Sequence, residues 1–427
     1  MQITHKNKPA RIATAVIGVV VFIFLCFWVT RDYLATVIAG KPTVQNLQTA
    51  IHIDPGDARY PLSLGRLYQY TVLNAQPDLA IKNLTRAVQL NAYNPQAWLD
   101  LGTALEFEGN DVQAEECMRR ADILAPRIPA FQWAIGNFFL LHNNLNEAFH
   151  HFQMVLAAVP YYDGPIFNTA WKASGDANAI LSGLIPNNAS ANLRYLGYLL
   201  TTNRLEQAKP VWERLAHSPQ KFSADGAALY MDVLIGAHQS AEAYKVWGTL
   251  RTKGVIPATD ESTSQNLVEN GDFEDPLLGI GFDWRIAGVA GVYVGLDDST
   301  FHSPAKSLMI QFPGNQNVDY HNVYQLVPVL PSHRYHLLAY MKSQGITTDS
   351  GPRMEVRDAY NSALLDKYTD QLTGTTPAWV PLSLDFETGP KTDLLTIAIA
   401  RAASQEFVNQ IAGKFWVDDV TLTPENN

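Results

Sequence analysis

Residues 98–126, WLDLGTALEFEGNDVQAEECMRRADILAP, are matched thirty-four positions later by residues 132–160, QWAIGNFFLLHNNLNEAFHHFQMVLAAVP. At that offset Gly102 falls on Gly136, Leu105 on Phe139, Ala114 on Ala148, Met118 on Phe152 and Pro126 on Pro160. Small residues at Gly102 and Ala114 let two antiparallel helices approach closely, and each proline stops the second helix before the next unit begins. A unit of this size cannot bury its own apolar face, so it stacks on neighbours. An earlier unit carries Gly65, Tyr68, Ala80, Leu84 and Ala87, with three extra residues around Asn74–Pro77. After Pro160 the pattern weakens. Tyr195-Leu196-Gly197 with Ala208 and Trp212 marks a further unit, and Gly226 to Leu250 reads as a final helical hairpin that caps the stack.

This pattern resembles the tetratricopeptide repeat, which sets a large residue, Leu-Gly, Ala, an aromatic and Pro at fixed offsets. The resemblance implies an all-α solenoid over 44–251 in which the first helix of each repeat lines a concave groove. Carried onto this chain, the groove consists of Arg59, Arg66, Gln69, Gln96, Thr103, Glu106, Trp133 and Asn137. That mixture, polar with one aromatic, suits a peptide or the surface of a partner protein; the bland alternative is a set of solvated faces. His150 and His151 are adjacent and point to different faces of one helix, a poor arrangement for joint metal ligation. Cys117 stands beside Glu115 and Glu116, and nearby acid raises a thiol pKa, so no reactive thiolate is expected there.

Residues 12–29, IATAVIGVVVFIFLCFWV, contain no charge. As a helix rising about 1.5 Å per residue they span roughly 27 Å, close to the hydrocarbon thickness of a bilayer. Lys6, Lys8 and Arg11 precede the run, so the N-terminus, 1–11, is expected in the cytoplasm and the bulk of the chain outside it. Trp28 and Tyr33 would sit near the outer interface, with Cys26 facing lipid. We read 12–30 as a retained transmembrane anchor. The rival is a signal peptide cleaved after the poor site Val37-Ile38-Ala39.

The polar run TKGVIPATDESTSQ, 252–265, reads as a linker. Beyond it, short alternating segments are separated by Gly, Pro, Asn and Asp, and Tyr335–Met341, Leu394–Ala400 and Phe415–Leu422 are strand candidates. Many short strands over roughly 160 residues fit an all-β, two-sheet sandwich of jelly-roll type. Asn266-Leu267-Val268-Glu269-Asn270-Gly271-Asp272-Phe273-Glu274 opens the region. Trp284, His302-Ser303-Pro304-Ala305-Lys306-Ser307-Leu308, Tyr324-Gln325-Leu326-Val327-Pro328, Trp379-Val380 and Trp416-Val417-Asp418-Asp419-Val420 follow in order. This series resembles the carbohydrate-binding modules of families four, nine and twenty-two, over essentially all of 266–424, with Pro304 where the family usually has Gly. The resemblance implies a structural calcium held by Glu274 and one of Asp418 and Asp419. It also implies a sugar face. Trp284, Tyr320, Tyr324, Tyr340 and Trp379 are the candidate platforms, with Arg353, Glu355 and Arg357 as polar partners sharing one accessible strand face.

Two cysteines exclude a disulfide scaffold or a cysteine-built zinc cluster, and a formal charge of −10 argues against a phosphate-neutralising nucleic-acid binder. Residues 1–263 carry 21 basic and 21 acidic side chains, whereas 264–427 carry 10 and 20, so the whole excess lies in the sandwich. An acidic sandwich disfavours anionic polymers and is compatible with a neutral glycan or a bound cation. No Gly-x-Ser-x-Gly elbow, His-Glu-x-x-His motif or phosphate-binding glycine loop is present, and no catalytic residue is assigned. The expectation is a multidomain, non-enzymatic protein of a bacterial inner membrane, recruiting a protein partner and binding a glycan outside it, in exopolysaccharide or envelope-polymer assembly. A purely protein-interacting scaffold is the alternative, and a cryptic polysaccharide hydrolase comes last.

Overall fold

The computed structural model describes residues 8–257 and 265–425. Lys6, and positions 258–264 of the run read as a linker, lie outside the described residues. By contact the chain divides into two compact units, Met1–Pro186 and Asn187–Asn427.

The first unit is all-α. Helix α1 (Lys8–Ala39) is followed by α2 (Val44–Ile53), α3 (Arg59–Tyr70), α4 (Pro77–Leu90), α5 (Pro95–Phe107) and α6 (Asp111–Leu124). Next come α7 (Pro129–Leu141), α8 (Leu145–Ala158), α9 (Asp163–Ser174) and α10 (Ala177–Gly183). The quoted repeats are the hairpins α5–α6 and α7–α8, and α6 and α8 stop two residues before Pro126 and Pro160. Local chemistry sets the starts: Pro95 and Pro129 open α5 and α7, and the Asn94 and Asn144 side chains cap α5 and α8. The shared glycine is a contact point between paired helices. A Cβ at Gly136 would lie 2.5 Å from the Phe152 ring, and one at Gly65 would lie 2.6 Å from Leu84. The three-residue insertion forms a short 3-10 turn, Val72–Asn74, between α3 and α4.

Helix α1 runs unbroken past its apolar stretch and enters the repeat stack. Its first part is exposed from Ile12 onward. Ala35, in contrast, is fully buried with Ala50 and Tyr60. Arg31 pairs with Asp54 at 2.6 Å, Thr36 Oγ1 meets the Tyr60 hydroxyl at 3.1 Å, and Arg59 reaches Asp32 at 3.4 Å. The C-terminal third of α1 therefore serves as the first helix of a hairpin with α2, ahead of the start at 44 expected from the repeat pattern.

The second unit contains α11 (Ala189–Thr201), α12 (Leu205–His217), α13 (Asp225–Gly236) and α14 (Ser240–Thr252), then, among the described residues, ten strands. One sheet has the order β1 (Arg285–Ile286), β4 (Tyr320–Pro328), β9 (Leu394–Arg401), β6 (Arg353–Asp358), β7 (Asp366–Tyr368). The other has the order β2 (Tyr293–Asp297), β3 (Ser307–Pro313), β10 (Ala412–Pro424), β5 (Arg334–Gln344), β8 (Val380–Glu387). All pairings are antiparallel, and the inner faces meet in one core containing Leu337, Met341, Val356, Ile397 and Val417. The segment that opens the sandwich lies beside the last strand: Leu267 N donates to Leu422 O at 2.9 Å, and Val420 N to Gly271 O at 2.8 Å.

Hairpin α13–α14 is packed onto this sandwich. Trp247, 2% exposed, lies edge-on to the Phe282 ring, and a Cβ at Gly281 would come within 2.6 Å of it. Arg251 holds both Glu269 oxygens at 2.6 and 2.7 Å. Ser240 donates to Asp393 at 2.9 Å, and the His238 and Tyr360 rings stack at 4.0 Å.

Candidate binding surfaces

Strand pairing lays five residues in one row across the outer face of the first sheet: Arg285, Tyr324, Ala398, Glu355 and Tyr368. Around this row central strand β9 contributes small side chains, Thr396, Ala398 and Ala400, all buried, with Leu394 on the same face at the strand's start. Larger residues on β4, β6 and β7 stand over this strip of small side chains. His321 reaches across it, its Nδ1 2.8 Å from Glu355 Oε2, and the Tyr368 hydroxyl donates to Glu355 Oε1 at 3.2 Å. The Arg353 guanidinium lies 4.1 Å from the Tyr368 ring centre. Burial and the neighbouring carboxylates Asp366 and Glu355 push the Tyr368 hydroxyl well above its usual range, so it stays a donor. Tyr324 and Tyr368 are half-buried and stand about 14 Å apart by strand spacing. Asp232 of α13 pairs with Arg285 at 2.8 Å and closes the β1 end of the row.

This face corrects several expectations. Arg353, Glu355 and Arg357 do share one side of β6, with Met354 and Val356 in the core, but Glu355 is 2% exposed and lies beneath its two donors. Trp284 is fully buried against Phe273, its indole N–H donating to Asn270 O at 3.1 Å, so it is a core residue and no sugar platform. Tyr320 is buried too. A bulge between Tyr320 and Val323 reverses the alternation, sending Tyr320 inward and Tyr324 outward. His321 and Tyr368 were not singled out from sequence. His321 is placed by that same bulge, and Tyr368 by a strand of three residues with no pattern of its own.

Tyr340, on β5, and Trp379, just before β8, stand at the opposite sheet and cannot join this row. The His302 ring stacks on Tyr340 at 3.7 Å and meets Trp379 edge-on at 5.8 Å, covering one Tyr340 face. Beneath them lies Asp418, fully buried. Its Oδ2 accepts the N–H groups of His302 (2.7 Å) and Ser303 (3.1 Å), and its Oδ1 accepts that of Asp419 (2.8 Å). Asp419 Oδ2 is bonded to His302 Nδ1 at 2.5 Å. Glu274 Oε1 accepts Lys306 N–H at 2.9 Å, while the Lys306 ammonium donates to Glu274 O at 2.5 Å. N–H donors, one of them a cation, thus converge where hard oxygens would have to turn toward an ion. This set does not fit the calcium implied for Glu274, Asp418 and Asp419. Among the described residues, the groupings close enough to share a metal are His336, Asp385 and Glu425, and Asp32, Asp54 and Asp57.

Burial pushes the Asp418 carboxyl up to about 6, and the same cause holds Asp283 at about 6 despite N–H bonds from Leu278 and Trp284. Between the unfolded carboxyl value of about 4 and that native value, the folded chain binds protons that the unfolded chain has released. Stability from these groups is therefore full below about pH 4 and is lost as the pH rises from there through 6. The melting temperature of the second unit is expected to rise from pH 7 to pH 5. Asp283→Asn should raise it at pH 7 and flatten part of that slope in scanning calorimetry.

In the first unit the expected groove centres on a residue that the motif reading passed over. Asp100, 2% exposed, accepts from Gln96 Nε2 at 2.9 Å and from the Tyr70 hydroxyl at 3.4 Å, with Arg66 Nε 3.4 Å away. Burial raises the Asp100 carboxyl, and burial followed by the Asp100 charge pushes the Tyr70 hydroxyl up to about 12. Glu106 is raised by burial and stands 3.9 Å from His142. Thr103 and Asn137 bond carbonyls of their own helices, and Trp133 packs between Phe152 and Tyr162 at 5.3 and 5.4 Å. Arg59 is paired with Asp57. Gln69 keeps a buried Oε1 without a hydrogen-bond partner among the described residues, at the rim of an apolar cavity lined by Tyr68, Tyr70 and Phe107. His150 is exposed and His151 buried, bonded to Gln132 at 2.6 Å, so the two do not act together. Burial, then Glu116, pushes the Cys117 thiol up to about 11, in line with an unreactive thiol.

No family model matches the sequence, and no curated protein matches it. Among solved structures, the enzymatically active domain of bacteriophage CBA120 tailspike protein 4 is 15% identical with a TM-score of 0.28. That match covers 38% of this chain but only 22% of the length of the tailspike domain. MamA is 15% identical over 40% of this chain and 84% of its own, with a TM-score of 0.27. The CBM22-2 xylan-binding domain of Paenibacillus barcinonensis Xyn10C is 18% identical, TM-score 0.27, over 36% of this chain and 98% of its own.

Proposed function

We propose that this chain is a non-enzymatic, single-pass protein of a bacterial inner membrane, with its N-terminus cytoplasmic and its bulk periplasmic. It holds a neutral glycan on the first sheet and a protein partner in the repeat groove, in the assembly or export of an exopolysaccharide or another envelope polymer. The row Tyr324–Ala398–Glu355–Tyr368 carries this reading: two separated rings flank a strip of small residues crossed by a fixed carboxylate–histidine bridge. Flat rings under sugar C–H faces and polar groups held in place are what saccharide recognition requires. Retention of the N-terminal helix is supported by Ala35, since a cut after Ala39 would strip the wall against which Ala50 and Tyr60 pack.

The test is a glycan array followed by calorimetric titration of the chain from Arg31 onward. Binding to a neutral oligosaccharide is expected. Tyr324→Ala and Tyr368→Ala should each weaken it about tenfold, equivalent to 1.4 kcal/mol. Tyr340→Ala, on the other sheet, should leave it unchanged. A folded chain that binds no glycan would instead support the protein-only scaffold, and turnover of a polysaccharide lost in Glu355→Gln would support a hydrolase.

A further inference from the structure

Helix α1 and the repeats share one unit, and short turns make successive helices antiparallel. Odd-numbered helices therefore run in the direction of α1. The contacts agree: Asp32 and Thr36 meet Arg59 and Tyr60 at the start of α3, whereas Ala39 and Val44 pack beside Leu67 and Tyr68 near its end. The turns that precede α3, α5, α7 and α9 consequently lie along one edge of the stack, and those that follow these helices lie along the other. The first edge begins at the end of the apolar run. Trp28, Val29, Arg31 and Asp32 share a shallow cleft with Asp54–Asp57, the turn before α3.

The next three turns on that edge present Tyr93, Arg127 and Tyr161, spaced thirty-four residues apart and therefore equivalent in the repeat. Tyr93 and Tyr161 are each 85% exposed, Arg127 is exposed, and Ile128 beside it is 46% exposed. The acids at the start of the edge are neutralised, Asp54 by Arg31 and Asp57 by Arg59. Exposed Tyr beside Trp28 and Arg is the composition favoured where water meets lipid, because the rings tolerate both media and the cation meets phosphate. The opposite edge has exposed apolar residues too, Leu73 and Phe107, but it lies a helix length, about 18 Å for a twelve-residue helix, from the end of the span.

We propose that the edge bearing Tyr93, Arg127 and Tyr161 rests on the headgroup layer of the bilayer that holds α1, so that the repeats lie along the membrane instead of projecting from it. This rests on the reading of α1 as a retained span.

The experiment uses the full chain with Cys26→Ala, reconstituted into vesicles of phosphatidylethanolamine and phosphatidylglycerol; Cys117 is buried and stays unlabelled. Nitroxides are placed at Ala92→Cys, Pro126→Cys and Pro160→Cys beside the turn tips, at Leu73→Cys and Glu108→Cys on the other edge, and at Phe22→Cys in the span. Relaxation by nickel chelated to lipid headgroups is expected to be several-fold stronger at 92, 126 and 160 than at 73 and 108. Adding Tyr93→Ser, Arg127→Ser and Tyr161→Ser together should abolish the difference with the melting curve unchanged. Equal relaxation on both edges, with the label at 22 shielded from water-soluble reagents, overturns the proposal and leaves the anchor standing. Unchanged relaxation in the triple variant also overturns it, since those side chains would then not make the contact. A label at 22 open to water-soluble reagents removes the anchor itself.

Discussion

Trp247→Ala is expected to destabilise the second unit by about 3–5 kcal/mol, the range for truncating a large buried aromatic, and to do so for the sandwich as much as for α14. The indole is 2% exposed, touches Phe282 and the backbone at Gly281, and donates to Glu269 at 3.3 Å. Glu269 in turn binds Arg251 and exchanges two hydrogen bonds with buried Gln325 on β4, its N–H donating at 2.9 Å and its carbonyl accepting at 2.8 Å. Loss of the ring therefore opens a cavity where helix, opening segment and central sheet meet. Urea denaturation of the chain from Arg31 should show the transition of the second unit moved to lower urea by both helical and tryptophan signals. Two separated transitions, with the sandwich midpoint unmoved, would mean that the hairpin is only appended. By the same logic, a fragment beginning at 266 would expose Phe282, and a stable soluble fragment needs the helices from α11 onward.

Arg401→Met is expected to be comparably severe. Arg401 has no exposed surface, yet its guanidinium is hydrogen-bonded by neutral groups only: Ser350 O at 2.9 Å, Asn317 Oδ1 at 3.1 Å, Val318 O, Thr348 Oγ1 at 3.3 Å and Asn409 O at 3.4 Å. Burial lowers its pKa, with the more distant Asp349 and Asp319 offsetting part of that effect. Methionine fills much of the volume but supplies no donor, leaving several buried acceptors unpaired at roughly 1–3 kcal/mol each. A loss of about 3–5 kcal/mol is expected after relaxation and water entry. Hydrogen exchange should show the segments around 317, 349 and 409 opening first. A variant with unchanged midpoint and exchange would show that the cage is not needed.

Much of the architecture was legible because it depends on local chemistry. Gly65, Gly102 and Gly136 announce helix pairs by what they lack, and Pro126 and Pro160 mark where the second helix of a repeat has ended. The α9–α10 pair escaped because its second helix has seven residues, too few to display a period. The strands Leu394–Arg401 and Arg334–Gln344 were visible as an apolar run and an alternation. Which strands pair was not, because antiparallel partners here lie tens of residues apart. Bulges cost the site more than anything else. Tyr320 and Tyr324 have the same parity in sequence and opposite directions in the fold, and a second register shift between Asp418 and Thr421, with Asp419 at φ 48°, does the same in β10. A face read by counting in twos is right only up to the first bulge.

Helix α1 has one further consequence. A flexible tether would act as a swivel, letting the carried domain average over all headings. Here thirty-two residues form one rod whose far third is the inner wall of a hairpin, fixed by Ala35, the Arg31–Asp54 pair and the Thr36–Tyr60 contact. Rotation of the rod about its axis must turn the adjoining repeats through the same angle. Any partner gripping the apolar part of α1 could therefore aim the groove, transmitting torque through a shaft with no joint.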